Sequence, residues 1–180
     1  MKTIFKSIAI LAALIGLVSC GGFDEKVNEQ IVAEQANFET VSKSVEGLAA
    51  QFDAERKTWM TAKEALPADT TFNYASLEGA STKVIESAQA LATKAADLTK
   101  QISELPASYK EGKVKTEDVL KQIETLKTDL ASVSEEKTKV EAEYTRIKEE
   151  FSKLLAAHTA KKEEAEKAIA EAAAKKGKKK

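Results

Sequence analysis

Residues 75–105 read ASLEGASTKVIESAQALATKAADLTKQISEL and stand between the chain's only two prolines, Pro67 and Pro106. Leu77, Val84, Leu91, Leu98 and Leu105 recur every seven residues, and Ser81, Ala88, Ala95 and Ile102 follow four residues after each of the first four. Alternating steps of four and three keep both sets on one stripe of an α-helix, as in a bundle or coiled-coil seam. Large side chains at d and small ones at a imply close approach to a neighbour that supplies bulk. The residue before a proline is pushed out of the helical region. A helix is therefore predicted from about Ala75 to Leu105, with loops at about 67–74 and 106–115.

The same repeat extends to both sides. From about Asp24 to Leu66 the a positions are Ile31, Phe38, Val45, Phe52, Trp59 and Leu66, and the d positions are Val27, Glu34, Val41, Leu48, Glu55 and Ala62. One continuous helix is expected there, with Gly47 on its outer face, where glycine costs about 1 kcal/mol against alanine. A third helix is expected over about 116–175, capped by Thr116 and favoured by Glu117 and Asp118 near its N-terminus. Its d positions are Val119, Leu126, Val133, Val140, Ile147 and Leu154; its a positions are Ile123, Leu130, Lys137, Tyr144 and Phe151. After Leu155 the seam fades into Ala, Glu and Lys, with His158 and Lys161 at seam positions.

Short loops make neighbouring helices antiparallel. The expected fold is all-α: an elongated antiparallel three-helix bundle or coiled coil over 24–160, with a projecting C-terminal helix and a lysine-rich end at 161–180. If Leu66 and Leu77 lie level, the register puts Lys137 of the third helix beside Glu55 of the first as a structural seam pair. Glu34 and Lys115 fall level by the same count.

The N-terminus carries a different signal. Lys2 and Lys6 precede an uncharged apolar run from Ile8 to Val18. Eleven residues are too few to span a bilayer as a helix, which takes about 20; the build is that of a secretory leader. Leu17-Val18-Ser19-Cys20, followed by Gly21-Gly22, resembles the lipobox of bacterial lipoproteins. The resemblance implies a leader of residues 1–19 cut between Ser19 and Cys20, and a lipidated linker at 20–23. It also implies covalent diacylglycerol and N-acyl lipid on Cys20. Gly21 in the second mature position implies passage to an outer membrane. Cys20 is the only cysteine, so no intrachain disulfide can form.

The mature part, residues 20–180, holds 26 basic and 29 acidic residues. Residues 161–180 alone carry eight lysines against four glutamates. Lys175, Lys176, Lys178, Lys179 and Lys180 would attract a polyanion with strong salt dependence. Export argues against nucleic acid as that partner and leaves cell-wall or other anionic polysaccharide. A lipidated cysteine, a heptad rod and a terminal lysine together resemble the Braun-type murein lipoproteins. Those join the outer membrane to peptidoglycan through the final lysine. Only Cys20 and Lys180 carry over, and this chain is far longer and is broken by prolines.

Nothing in the sequence sets up catalysis. His158, the only histidine, has no second histidine or cysteine to form a triad or metal cluster with, and it reads as a surface residue on the projecting helix. Trp59, Met60, Phe52 and Tyr144 fall at heptad spacing and read as core. No catalytic residue, metal site or bound cofactor is expected. The expectation is a non-enzymatic, membrane-anchored envelope protein acting as a spacer, tether or interaction module, possible also as a homo-oligomer. Its rivals are a holdase-type periplasmic chaperone and a surface-exposed adhesin or binding lipoprotein.

Overall fold

The computed structural model describes residues 23–177, which form four helices: α1 (Glu25–Glu46), α2 (Leu48–Glu64), α3 (Ala75–Lys110) and α4 (Thr116–Gly177). The chain is all-α. α1 and α2 make one arm, α3 returns antiparallel beside it, and α4 runs forward again along both and past the end of α2. Asp24 starts the first arm by accepting a hydrogen bond from the Lys26 amide at 2.9 Å. Among the described residues no helix is long and apolar enough to cross a membrane.

The core follows the seven-residue repeat. Ile31, Phe38 and Val45 of α1, Ala88, Ala95 and Ile102 of α3, and Val119, Val133 and Ile147 of α4 are wholly buried. Ser81 is buried with them, its hydroxyl returned to the Glu78 carbonyl at 2.8 Å, which satisfies a polar group that would otherwise be costly there. One cluster runs from Val27 near the base to Tyr144 and Ile147. Burial of these apolar stripes, rather than helix propensity, holds the bundle together.

Pro106 does not end the second helix. α3 continues through it to Lys110, and its stop is Gly112, at φ 69°. The Lys113 amide donates to the Ser108 carbonyl and the Gly112 amide to that of Tyr109, both at 3.0 Å. That pair of bonds is the Schellman arrangement, which needs a left-handed residue that glycine adopts without strain. The second connection is thus only residues 111–115. α4 begins at Thr116, with Lys115 in the capping position: the Val119 amide donates to the Lys115 carbonyl at 3.0 Å. The Thr116 hydroxyl pairs with the Tyr109 hydroxyl at 2.9 Å.

The first arm is likewise not one helix. It breaks at Gly47, where φ −90° and ψ −9° loosen the turn, although the Gln51 amide still reaches the Gly47 carbonyl at 3.0 Å. Gly47 is exposed. Without a Cβ, its backbone can depart from helix on the outer face while Val45, Leu48 and Ala49 on either side stay buried.

The expected register is overturned. Lys137 pairs along its own helix with Glu141 at 3.1 Å, whereas Glu55 pairs with Lys148 at 2.8 Å. Glu34 pairs with Lys127 at 2.7 Å rather than lying level with Lys115. Both observed pairs are 93 residues apart in sequence, so α4 keeps one constant offset along the whole arm. The error has two sources, one at each turn. Lys63, not Leu66, is tied across to α3, through Glu78 at 2.6 Å. At the other end α3 runs beyond Pro106, with its Tyr109 hydroxyl accepting from the Asp24 amide at 2.7 Å. Each turn displaces the following helix, and the two displacements add.

Past Lys161 the fourth helix leaves its neighbours. Residues 163–173 are exposed, including Ile169 at 70 %.

Candidate functional site

The connection between α2 and α3 closes the distal end of the bundle, where polar and aromatic side chains converge. Its residues 66–74 cross over α4 as a strap. Within the strap, Asp69 accepts from the Thr71 amide at 2.9 Å and the Thr71 hydroxyl at 2.7 Å, which closes a tight turn. Asp69 also takes the Lys161 ammonium of α4 at 2.6 Å. The Lys161 hydrogen bond, followed by those from Thr71, holds the Asp69 carboxyl well below the usual carboxylate range.

Behind that ion pair lies His158, only 4 % exposed. The Phe72 ring stacks on the imidazole at 4.4 Å and 19°, and the Lys161 ammonium lies 5.5 Å from the centre of the Phe72 ring. Tyr74, also buried, shares a hydrogen bond of 3.2 Å with His158 Nδ1, and its hydroxyl lies 3.4 Å from the Leu154 carbonyl. Burial pushes the Tyr74 phenol up, against the opposing pull of Lys63, whose ammonium sits 5.4 Å from the ring centre. His158 Nε2 is buried and has no hydrogen-bond partner among the described residues. Such a group costs about 1–3 kcal/mol against one that is paired.

The rings continue downward into the core. Tyr74 meets Phe151 at 5.1 Å, Phe151 meets Trp59 at 5.4 Å, Trp59 meets Tyr144 at 5.4 Å, and Tyr144 stacks on Phe52 at 3.8 Å. The Tyr144 hydroxyl donates to the Phe52 carbonyl at 2.9 Å. An aromatic ladder thus joins the strap to the middle of the bundle. Between the strap and the end of α2 lies an open groove of about 630 Å³, lined by Lys63, Leu66, Pro67, Asp69, Phe72 and His158 among others.

The surface position expected for His158 is therefore corrected. The imidazole occupies the next a position after Phe151 and is sealed by two loop aromatics. The signal was its heptad place; what hid it was that Phe72 and Tyr74 sit in a loop with no periodicity to read.

The other sequence-derived sites fare unevenly. Ser19 and Cys20 lie outside the described residues, as do Lys178, Lys179 and Lys180. Lys175 is exposed on the projecting end of α4, and Lys176 belongs to the same helix. Glu55 and Lys137 are not brought together. Among the described residues no three histidine, cysteine or acidic side chains gather as metal ligands would. Comparison with known proteins adds no relative: the chain matches no protein family, no curated protein and no solved structure.

Proposed function

We propose that this is a non-enzymatic, lipid-anchored protein of a bacterial envelope, in which the helical bundle is a spacer that carries its lysine-rich C-terminus away from the membrane. The observation that carries this reading is the placement of the two ends. Asp24, four residues after Cys20, is bonded to Tyr109 at the base, while α4 leaves the bundle at the opposite end, beyond the strap. With 62 residues, α4 alone is about 93 Å long at 1.5 Å per residue. Lipid on Cys20 fixes the base, since two or more acyl chains hold a protein on a bilayer where one does not. The lysines at the far tip then meet an anionic polymer of the envelope.

The test is metabolic labelling of a producing bacterium with an alkyne-tagged fatty acid. Wild type acquires label and sediments with membranes. Cys20→Ser acquires none and is released by salt or remains unprocessed. Label on the Cys20→Ser chain, or an unlabelled wild type, would sink the anchor. Salt-sensitive co-sedimentation with purified cell wall, lost when residues 175–180 are removed, tests the tip.

A further inference from the structure

We propose that the base of the bundle is itself a membrane-docking face: the exposed ring of Phe23 enters the lipid headgroup layer, and the helices stand on the bilayer rather than lie along it. This inference rests on the lipid anchor at Cys20 proposed above, and adds to it the part of the protein surface that the bilayer covers.

One side chain ties three helix termini together at the base. Tyr109, buried near the end of α3, accepts from the Asp24 amide ahead of α1 at 2.7 Å. Its hydroxyl also shares a 2.9 Å hydrogen bond with the Thr116 hydroxyl at the start of α4. The Phe23 ring rests on this platform, its centre 5.1 Å from that of the Tyr109 ring, yet 48 % of Phe23 is exposed. A single exposed apolar side chain needs no explanation by itself. What singles out Phe23 is its place in the chain, since only Gly21 and Gly22 separate it from Cys20.

Three residue steps of fully extended chain reach at most about 11 Å. Diacylglycerol on the Cys20 sulfur holds that residue at the glycerol level of the bilayer, beneath a headgroup layer roughly 5–8 Å deep. The tether therefore keeps the ring within or just above the headgroups. A helix with its side chains is about 10–12 Å across, so no folded partner fits between the base and the lipid. The surrounding charge is of mixed sign: exposed Lys26, Lys110 and Lys115 stand near exposed Glu25, Glu117 and Asp118. Attraction to anionic lipid and repulsion from it roughly cancel, and burial of the ring sets the contact. The platform under Phe23 is the end of the bundle, so a docked ring points the helices away from the membrane.

The experiment moves the chain's only tryptophan. Trp59→Phe clears the core; Phe23→Trp then places a reporter at the base, and Ile169→Trp, in a separate chain, at the projecting end, where Ile169 is 70 % exposed. Both full-length proteins are purified from the membranes of a producing bacterium, and the mass of the N-terminal peptide records the lipid. They are reconstituted into phosphatidylethanolamine–phosphatidylglycerol liposomes whose acyl chains carry bromine. The expected result is at least twofold quenching of the base reporter, stronger with bromine near the glycerol than near the chain end, and unchanged at high salt. The reporter at the projecting end keeps its full emission. Phe23→Cys labelled with bimane serves if the tryptophan variant fails to fold, the Cys20 thiol being taken by lipid. An unquenched base reporter on a chain that carries lipid and floats with the liposomes overturns the docking and leaves the anchor standing, whether water or a second copy covers the ring. Quenching at both ends overturns the upright stance. A chain that carries no lipid and does not float removes the anchor, and the docking with it.

Discussion

The Gln35 side-chain amide donates to the Ile102 carbonyl at 3.3 Å, from α1 across to α3. Ile102 lies four residues before Pro106, so its carbonyl is the one whose partner inside the helix the proline removes. A buried carbonyl left without a donor is costly, and the neighbouring helix supplies one. α3 can then run on through Pro106, to where Tyr109 fills the next seam position and ties the base of the bundle to Asp24.

This relationship is testable as a double-mutant cycle. Gln35→Leu should destabilise the wild-type chain by about 1 kcal/mol, the net worth of a hydrogen bond whose loss leaves a carbonyl unpaired. In a Pro106→Ala background the alanine amide can serve Ile102 from within the helix, and the same Gln35→Leu change should cost close to nothing. Urea melts of the four proteins measure the coupling. Additive effects would mean that Gln35 is not the stand-in for the missing amide.

Two glycines should respond in opposite directions. Gly112 holds a left-handed conformation at φ 69°, so Gly112→Ala forces a Cβ into it and should cost about 1 kcal/mol. Gly47 has negative φ and open space where a Cβ would stand. Gly47→Ala should stabilise by about 0.5–1 kcal/mol by restricting the unfolded chain and favouring helix across the break. Thermal melts of both variants read the difference in sign.

The seam residues were legible because a helix that buries one face must repeat its apolar side chains at that face's spacing. Ile31, Phe38, Val45, Leu91, Leu98, Val119 and Ile147 are found buried where the repeat puts them. The register was not legible, because it depends on how many residues each turn consumes. Periodicity carries no information on that. Pro106 looks like a stop in the sequence, but Gly112 is the stop, and Tyr109, at the next a position after Ile102, continues the stripe. The distal site was hidden for a related reason. Its closing residues, Phe72 and Tyr74, belong to a loop, and only the folded chain places them against His158.

The corrected register makes a sharp crosslinking prediction. With Cys20→Ser as background, Glu55→Cys with Lys148→Cys should be joined by a short bismaleimide within one chain, and so should Glu34→Cys with Lys127→Cys. Glu55→Cys with Lys137→Cys should not, since eleven residues of helix separate Lys137 from Lys148, about 16 Å along the axis. Gel mobility and peptide mapping read the outcome. Loss of these ion pairs should itself matter little, as partly exposed pairs contribute roughly 0–1 kcal/mol.

Tyr144 should control stability at alkaline pH. Burial, reinforced by the nearby Glu55 charge, raises its phenol above the ordinary tyrosine value and outweighs the opposing pull of Arg56. Above about pH 10 the unfolded chain releases this proton while the folded chain keeps it. The folded state then binds more protons than the unfolded one, and stability falls as pH rises. Tyr144→Phe keeps the stack on Phe52 but removes both the titration and the hydroxyl bond to the Phe52 carbonyl. At pH 7 it should cost about 1 kcal/mol. Between pH 9.5 and 11.5 its stability should decline less steeply than that of the wild type, with Tyr74, also raised by burial, supplying part of the remaining slope. Urea midpoints across that range measure both slopes, and parallel curves would mean that Tyr144 does not titrate with unfolding.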